Sequence, residues 1–206
     1  MAADVHDLEA RLREALGRRC LVVGIGNPLR GDDGAAQALL RRLEGAVDAA
    51  LLDAEEVPES HLGRIVEARP EVVLLVDVVG LGGEPGAVAL LTRGRLPAGG
   101  FSTHRPPLSV LMFFIEQETG AEVLLLGIQP KQVEFGAGLS PEVEKTVEAL
   151  AAILASVGQA PAPVRSQDRE FGAGTAAERC ATAGGGAPAQ PGAAVPQAAA
   201  APGRRG

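Results

Sequence analysis

A three-layer α/β/α sandwich around a five-stranded, mostly parallel twisted sheet is the fold class this sequence predicts. Three observations lead there. Short continuous apolar runs, CLVVGI at 20–25 and VVLLV at 72–76, suit strands buried on both faces. Segments with apolar residues at helical spacing alternate with them, the pattern of helices covering a parallel sheet. Aromatic residues make up only 2% of the chain, so the core must be Leu, Val and Ile packed between layers.

The first element is a helix over about 5–16, with Leu8, Leu12 and Leu16 at helical spacing. The run 20–25 is the first strand and ends in glycine. Asp32 and Asp33 precede a helix whose apolar residues are Ala36, Leu39, Leu40 and Leu43; only one aspartate can cap it, and Asp32 is assigned as the cap. Residues 49–52 form a second strand ending at Asp53, and 58–68 a helix with Leu62, Ile65 and Val66 on one face. The third strand, 72–76, ends at Asp77. A glycine-rich turn at 80–86 is too short for a crossover helix, so the fourth strand, 87–91, is expected antiparallel to the third. After a loop containing His104 comes a helix over 107–118, a fifth strand at 123–128, and a last helix over 139–157 with Ser140 at its N-cap and Pro141 at N1. These elements predict one folded domain over 1–159, comprising an N-terminal helix within 1–18 and an α/β core over 20–157. From 160 to 206 the chain is dominated by Ala, Gly and Pro and is read as a disordered tail, because such a composition buries too little surface to offset ordering entropy.

Several function classes are excluded by composition. The net charge is −7 with no basic stripe, so neither nucleic acid nor an anionic membrane is an expected partner. There are two cysteines: Cys20 opens a strand and Cys180 lies in the tail, and neither suggests a disulfide framework or a zinc cluster. The N-terminal segment is amphipathic and acidic rather than signal-like, and no apolar run approaches a bilayer span, so a cytoplasmic protein is expected. The loop GIGNPLRG at 24–31 invites a dinucleotide reading but fails it. Leu29 stands where a third glycine would be needed, Pro28 removes an N–H, and Asp32 and Asp33 place negative charge where a pyrophosphate would meet the helix. Nucleotide is therefore not expected. A GxSxG elbow, an HExxH helix and a Cys–His pairing are all missing, so any hydrolysis must use water activated by a carboxylate or a metal.

Ligands bind open α/β sheets at the carboxyl ends of the strands, and the polar residues of this chain fall there. Asp32 and Asp33 follow the first strand, Asp53 ends the second, Asp77 ends the third, His104 follows the fourth and Gln129 ends the fifth. A carboxylate at a buried strand end needs a partner. For Asp77 that is either a hydrogen bond to a neighbouring loop or a ligand. Two carboxylates and an imidazole on one rim could make an oxygen- and nitrogen-rich site for a first-row divalent metal. His6 and His61, on predicted helix faces, and Cys20, in the core, are read as structural.

These residues carry a family resemblance. Gly24-x-Gly26-Asn27-x-x-x-Gly31-Asp32-Asp33-Gly34 resembles the opening signature of the [NiFe] hydrogenase maturation endopeptidases. Leu74-Leu75-Val76-Asp77 resembles their second acidic site, and Ser102-Thr103-His104-Arg105-Pro106-Pro107-Leu108 their histidine segment. Leu126-Gly127-Ile128-Gln129-Pro130 is most similar to the branch serving formate-hydrogenlyase-type enzymes. The resemblance spans about 20–154. It implies an endopeptidase that removes a short C-terminal peptide from a hydrogenase large-subunit precursor after nickel insertion. It also implies that Asp33, Asp77 and His104 contact that nickel, which the precursor presents rather than the free enzyme. The alternative is a non-catalytic module that docks on the metal-loaded subunit as a checkpoint. One position departs from the pattern. The family commonly has glycine within two residues after Asp53, where this chain reads Ala54-Glu55-Glu56; a turn demanding positive φ would strain Glu55, whereas a glycine that admits substrate backbone would leave Glu55 narrowing the cleft.

Overall fold

The computed structural model describes residues 5–96 and 107–158. All of these belong to one compact unit, Met1–Val164; the tail expected at 160–206 lies outside the described residues. Ten main elements follow in order. They are α1 (Val5–Leu16), β1 (Cys20–Gly24), α2 (Ala35–Leu43), β2 (Ala50–Asp53), α3 (Leu62–Glu67), β3 (Val72–Val78), β4 (Val88–Leu91), α4 (Leu108–Thr119), β5 (Glu122–Ile128) and α5 (Pro141–Val157). The strands form one sheet in the order β2-β1-β3-β5-β4, with only the β4–β5 pair antiparallel.

Strand alternation sorts the core into two layers. Val72, Leu74, Val76 and Val78 of β3 point to a cluster completed by α1, α2 and α5, through residues such as Leu12, Leu39, Leu43, Val147 and Leu154. Val73 and Leu75 point to the other face, against Ile65 of α3 and Leu111, Met112 and Ile115 of α4. Every residue of β3 is buried, which is why its sequence is an apolar run interrupted only by Asp77. No described helix is long and apolar enough to cross a membrane.

β4 runs antiparallel to β3, as the short connection leads one to expect, with β5 inserted between them. The burial of the two strands explains this: β5 is buried at all but its first residue, whereas β4 is mostly half-exposed and suits an edge. The helix expected over 58–68 is a 3-10 turn, Pro58–His61, followed by α3. Asp32 does not cap α2. A 3-10 turn, Gly31–Gly34, separates β1 from the helix, and Gly34 takes the cap position.

Candidate active site

The carboxyl ends of β1, β2 and β3 are laced together by backbone bonds from the loop that follows β1. Ile25 N–H donates to Val76 O of β3 at 2.9 Å, Gly26 N–H to Glu55 O at 2.9 Å, and Ala54 N–H to Gly24 O at 2.9 Å. Buried Gln37 of α2 adds a side-chain tie, donating from Nε2 to Gly26 O at 3.0 Å and to Asp53 Oδ1 at 3.1 Å. Sequence reasoning missed Gln37; its only signal is an amide on a helix that is otherwise buried through small and aliphatic residues.

Asp33 sits in the 3-10 turn with its side chain half-buried, and its Oδ2 accepts the Asn27 N–H at 2.9 Å. Gly26 lies directly beneath it. Its φ is +142°, and a Cβ built there would stand 1.9 Å from Asp33 O. The close approach of these two backbones therefore sets where Asp33 stands, and glycine is required for both conformation and space.

Asp77 is 6% exposed, in register with Gly127 of β5, and its Oδ1 accepts the Val78 N–H at 2.7 Å. By strand alternation it follows Val73 and Leu75 onto the α3/α4 face. α4 leads directly into the start of β5 and runs back along it, so its first turn lies at the carboxyl edge on that same face. His104 precedes α4 by four positions, and it lies outside the described residues. β1 and β3 are neighbours in the sheet, so Asp33 and Asp77 belong to adjoining carboxyl-end segments.

The fully buried Asp32 carboxylate holds a second loop in place. Its Oδ2 accepts from Lys131 N at 2.8 Å, Gln132 N at 3.0 Å and Ser140 Oγ at 3.0 Å, and its Oδ1 from Ser140 N at 2.6 Å. Backbone bonds run back from the same turn, Gly31 N–H to Ala137 O at 3.1 Å and Asp32 N–H to Gln132 O at 3.0 Å. The loop after β5 thus reaches past β3 to the loop after β1. Ser140 does occupy the N-cap position of α5, but its hydroxyl serves Asp32 rather than the helix. Gln129 is likewise structural. Its Oε1 accepts from Leu81 N at 2.7 Å and Gly82 N at 3.0 Å, closing the glycine-rich turn. Among the described residues no three His, Cys, Asp or Glu side chains gather as a metal-holding group.

The family model described as hydrogenase maturation protease matches residues 35–157. The chain belongs to the hydrogenase maturation protease family. The matched stretch contains Asp77 and His104, and Asp33 stands two positions before it. The hydrogenase 3 maturation protease of Escherichia coli is 31% identical over 127 residues, covering 60% of this chain and 81% of that protein. The crystal structure of a [NiFe] hydrogenase maturation protease, HycI, from Thermococcus kodakarensis superposes with a TM-score of 0.65 at 30% identity, covering 71% of this chain and 97% of that one. The solution structure of an endopeptidase HycI from Escherichia coli gives 0.61 at 29%, covering 67% and 90%.

Two features of this maturation protease bear on its chemistry. Burial pushes the Cys20 thiol up to about 11, against weaker lowering by a Leu74 backbone bond and Arg18, so Cys20 is no nucleophile at neutral pH. Glu55 has a φ of +51°, the left-handed region in which a side chain is strained, as the sequence comparison with the family's glycine anticipated. Asp53 Oδ1 accepts the Glu55 N–H at 3.0 Å and holds the turn despite that strain. Glu55→Gly is expected to stabilise the fold by about 0.5–1 kcal/mol, because the relieved left-handed strain exceeds the extra freedom gained by the unfolded chain. Urea unfolding checks this, and a midpoint that falls would show the turn is not strained.

Proposed function

We propose that this protease is the cytoplasmic endopeptidase that removes the C-terminal extension of a [NiFe] hydrogenase large-subunit precursor once nickel is in place. Asp33, Asp77 and His104 contact that nickel, which arrives as part of the substrate. The observation carrying the reading is the pairing of Asp33 and Asp77 on adjoining carboxyl-end segments, one half-exposed and one buried. Carboxylates with an imidazole suit a first-row divalent ion, and the absence of a thiolate among the three suits transient contact rather than retention. Hydrolysis adds water oxygen to the acyl carbon and delivers a proton to the departing amine nitrogen. Asp33 is the more accessible of the two carboxylates, which supports assigning it the proton from that water.

The test is incubation with nickel-loaded and nickel-free precursor, followed by mass spectrometry. Only the loaded precursor is expected to shorten. Asp33→Asn, Asp77→Asn or His104→Ala should each slow the reaction on the order of a hundredfold or more. Equal cleavage of the nickel-free precursor would refute nickel recognition, and binding without shortening would mark a docking checkpoint instead.

A further inference from the structure

Six large hydrophobic side chains are exposed among the described residues. Val110, Phe113 and Phe114 share α4. The other three, Leu29, Val57 and Phe135, follow β1, β2 and β5, all at the carboxyl edge of the sheet. Leu29 and Phe135 are the most exposed, at 58% and 77%, and their backbones are brought together by the Gly136 N–H bond to Leu29 O at 2.7 Å.

Isolated apolar residues on a surface need no explanation, but this pair is not isolated. Leu29 N–H donates to Asn27 Oδ1 at 2.8 Å, and Asn27 N–H in turn donates to Asp33 Oδ2 at 2.9 Å. The Phe135 loop is held from beneath by the buried Asp32 carboxylate. Both side chains are therefore displayed on backbone that is already ordered, within one hydrogen-bonded unit that also carries Asp33. Association with such a surface avoids much of the cost of ordering a loop, and an aromatic side chain carried on ordered backbone suits an anchor for a protein partner.

We propose that Leu29 and Phe135 form an apolar docking platform for the hydrogenase precursor, receiving an apolar segment next to the scissile bond. This rests on the proposed processing function. Its occupant follows from continuity with the site: Leu29 is joined through Asn27 to the Asp33 carboxylate, so a chain whose cleaved bond reaches Asp33 lies against the same hydrogen-bonded unit. The platform holds the precursor and leaves the bond-breaking groups untouched.

Kinetics on nickel-loaded precursor, with direct binding measured alongside by calorimetry, test it. Leu29→Ser, Phe135→Ser and the double variant should keep the wild-type melting temperature. Each single change should raise KM and Kd roughly tenfold, with kcat within about twofold, and Phe135→Leu should retain most of the affinity. Unchanged KM and Kd in the double variant would overturn the platform. So would a fall in kcat at constant KM, which would mean that the loop merely positions Asp33. A wild-type protein that binds precursor without cutting it counts against the processing function alone, because loss of that binding in the double variant still supports the platform.

Discussion

Asp32→Ala is expected to destabilise the fold by on the order of 3–5 kcal/mol, lowering the melting temperature by roughly 10 °C or more. The carboxylate is 0% exposed and accepts four hydrogen bonds, three from backbone N–H groups and one from a hydroxyl. Removing it takes the acceptor from all four donors, two of them in the buried bonds to Ser140, and an orphaned buried donor costs more than the bond contributed. Asp32→Asn should be milder. Its oxygen can stay toward Lys131, Gln132 and the Ser140 hydroxyl, so that only Ser140 N–H faces an amide. Differential scanning calorimetry of the three proteins measures the order wild type, Asn, Ala. A shift of under about 3 °C for the alanine variant would show that the loop closes without this carboxylate.

Gly26→Ala should abolish precursor processing, with a loss on the order of a hundredfold or more, and should cost several kcal/mol of stability. The new methyl group would stand 1.9 Å from Asp33 O, and neither backbone can yield cheaply. Gly26 is tied to Glu55 and Gln37, while Asp33 lies in the 3-10 turn anchored through Asp32. Gly45 supplies the control. It too has a positive φ, +71°, but nothing lies within 4 Å of a Cβ there. Gly45→Ala should therefore lose only about 1 kcal/mol from local strain and keep full activity. If the two variants behaved alike, the close approach at Gly26 would not be what locates Asp33.

Much of this was legible in the sequence, because apolar runs buried on both faces declare themselves as strands and helical spacing declares the layers. The segments at 20–25 and 72–76 became β1 and β3 at the core of the sheet. Placing acidic residues at carboxyl ends also located Asp33 and Asp77 on adjoining segments. What failed was whatever depends on long-range partners. Asp32 looked like a helix cap because the residue that claims it, Ser140, is 108 positions away. The short connection after β3 fixes the direction of β4 but not its place in the sheet, which the deeper burial of β5 decides. Glu55 is the opposite case: a missing glycine marks the turn, and its φ of +51° decides for backbone strain.

The bond from Asp32 to Ser140 also makes the turn bearing Asp33 depend on distant sequence. A contact between residues this far apart carries the entropy cost of closing the intervening chain. The turn bearing Asp33 is anchored by Lys131, Gln132 and Ser140, all of which follow β5 in the chain. A chain cut short before residue 131 would therefore keep Asp33 and Asp77 but lose every group that holds the Asp32 carboxylate.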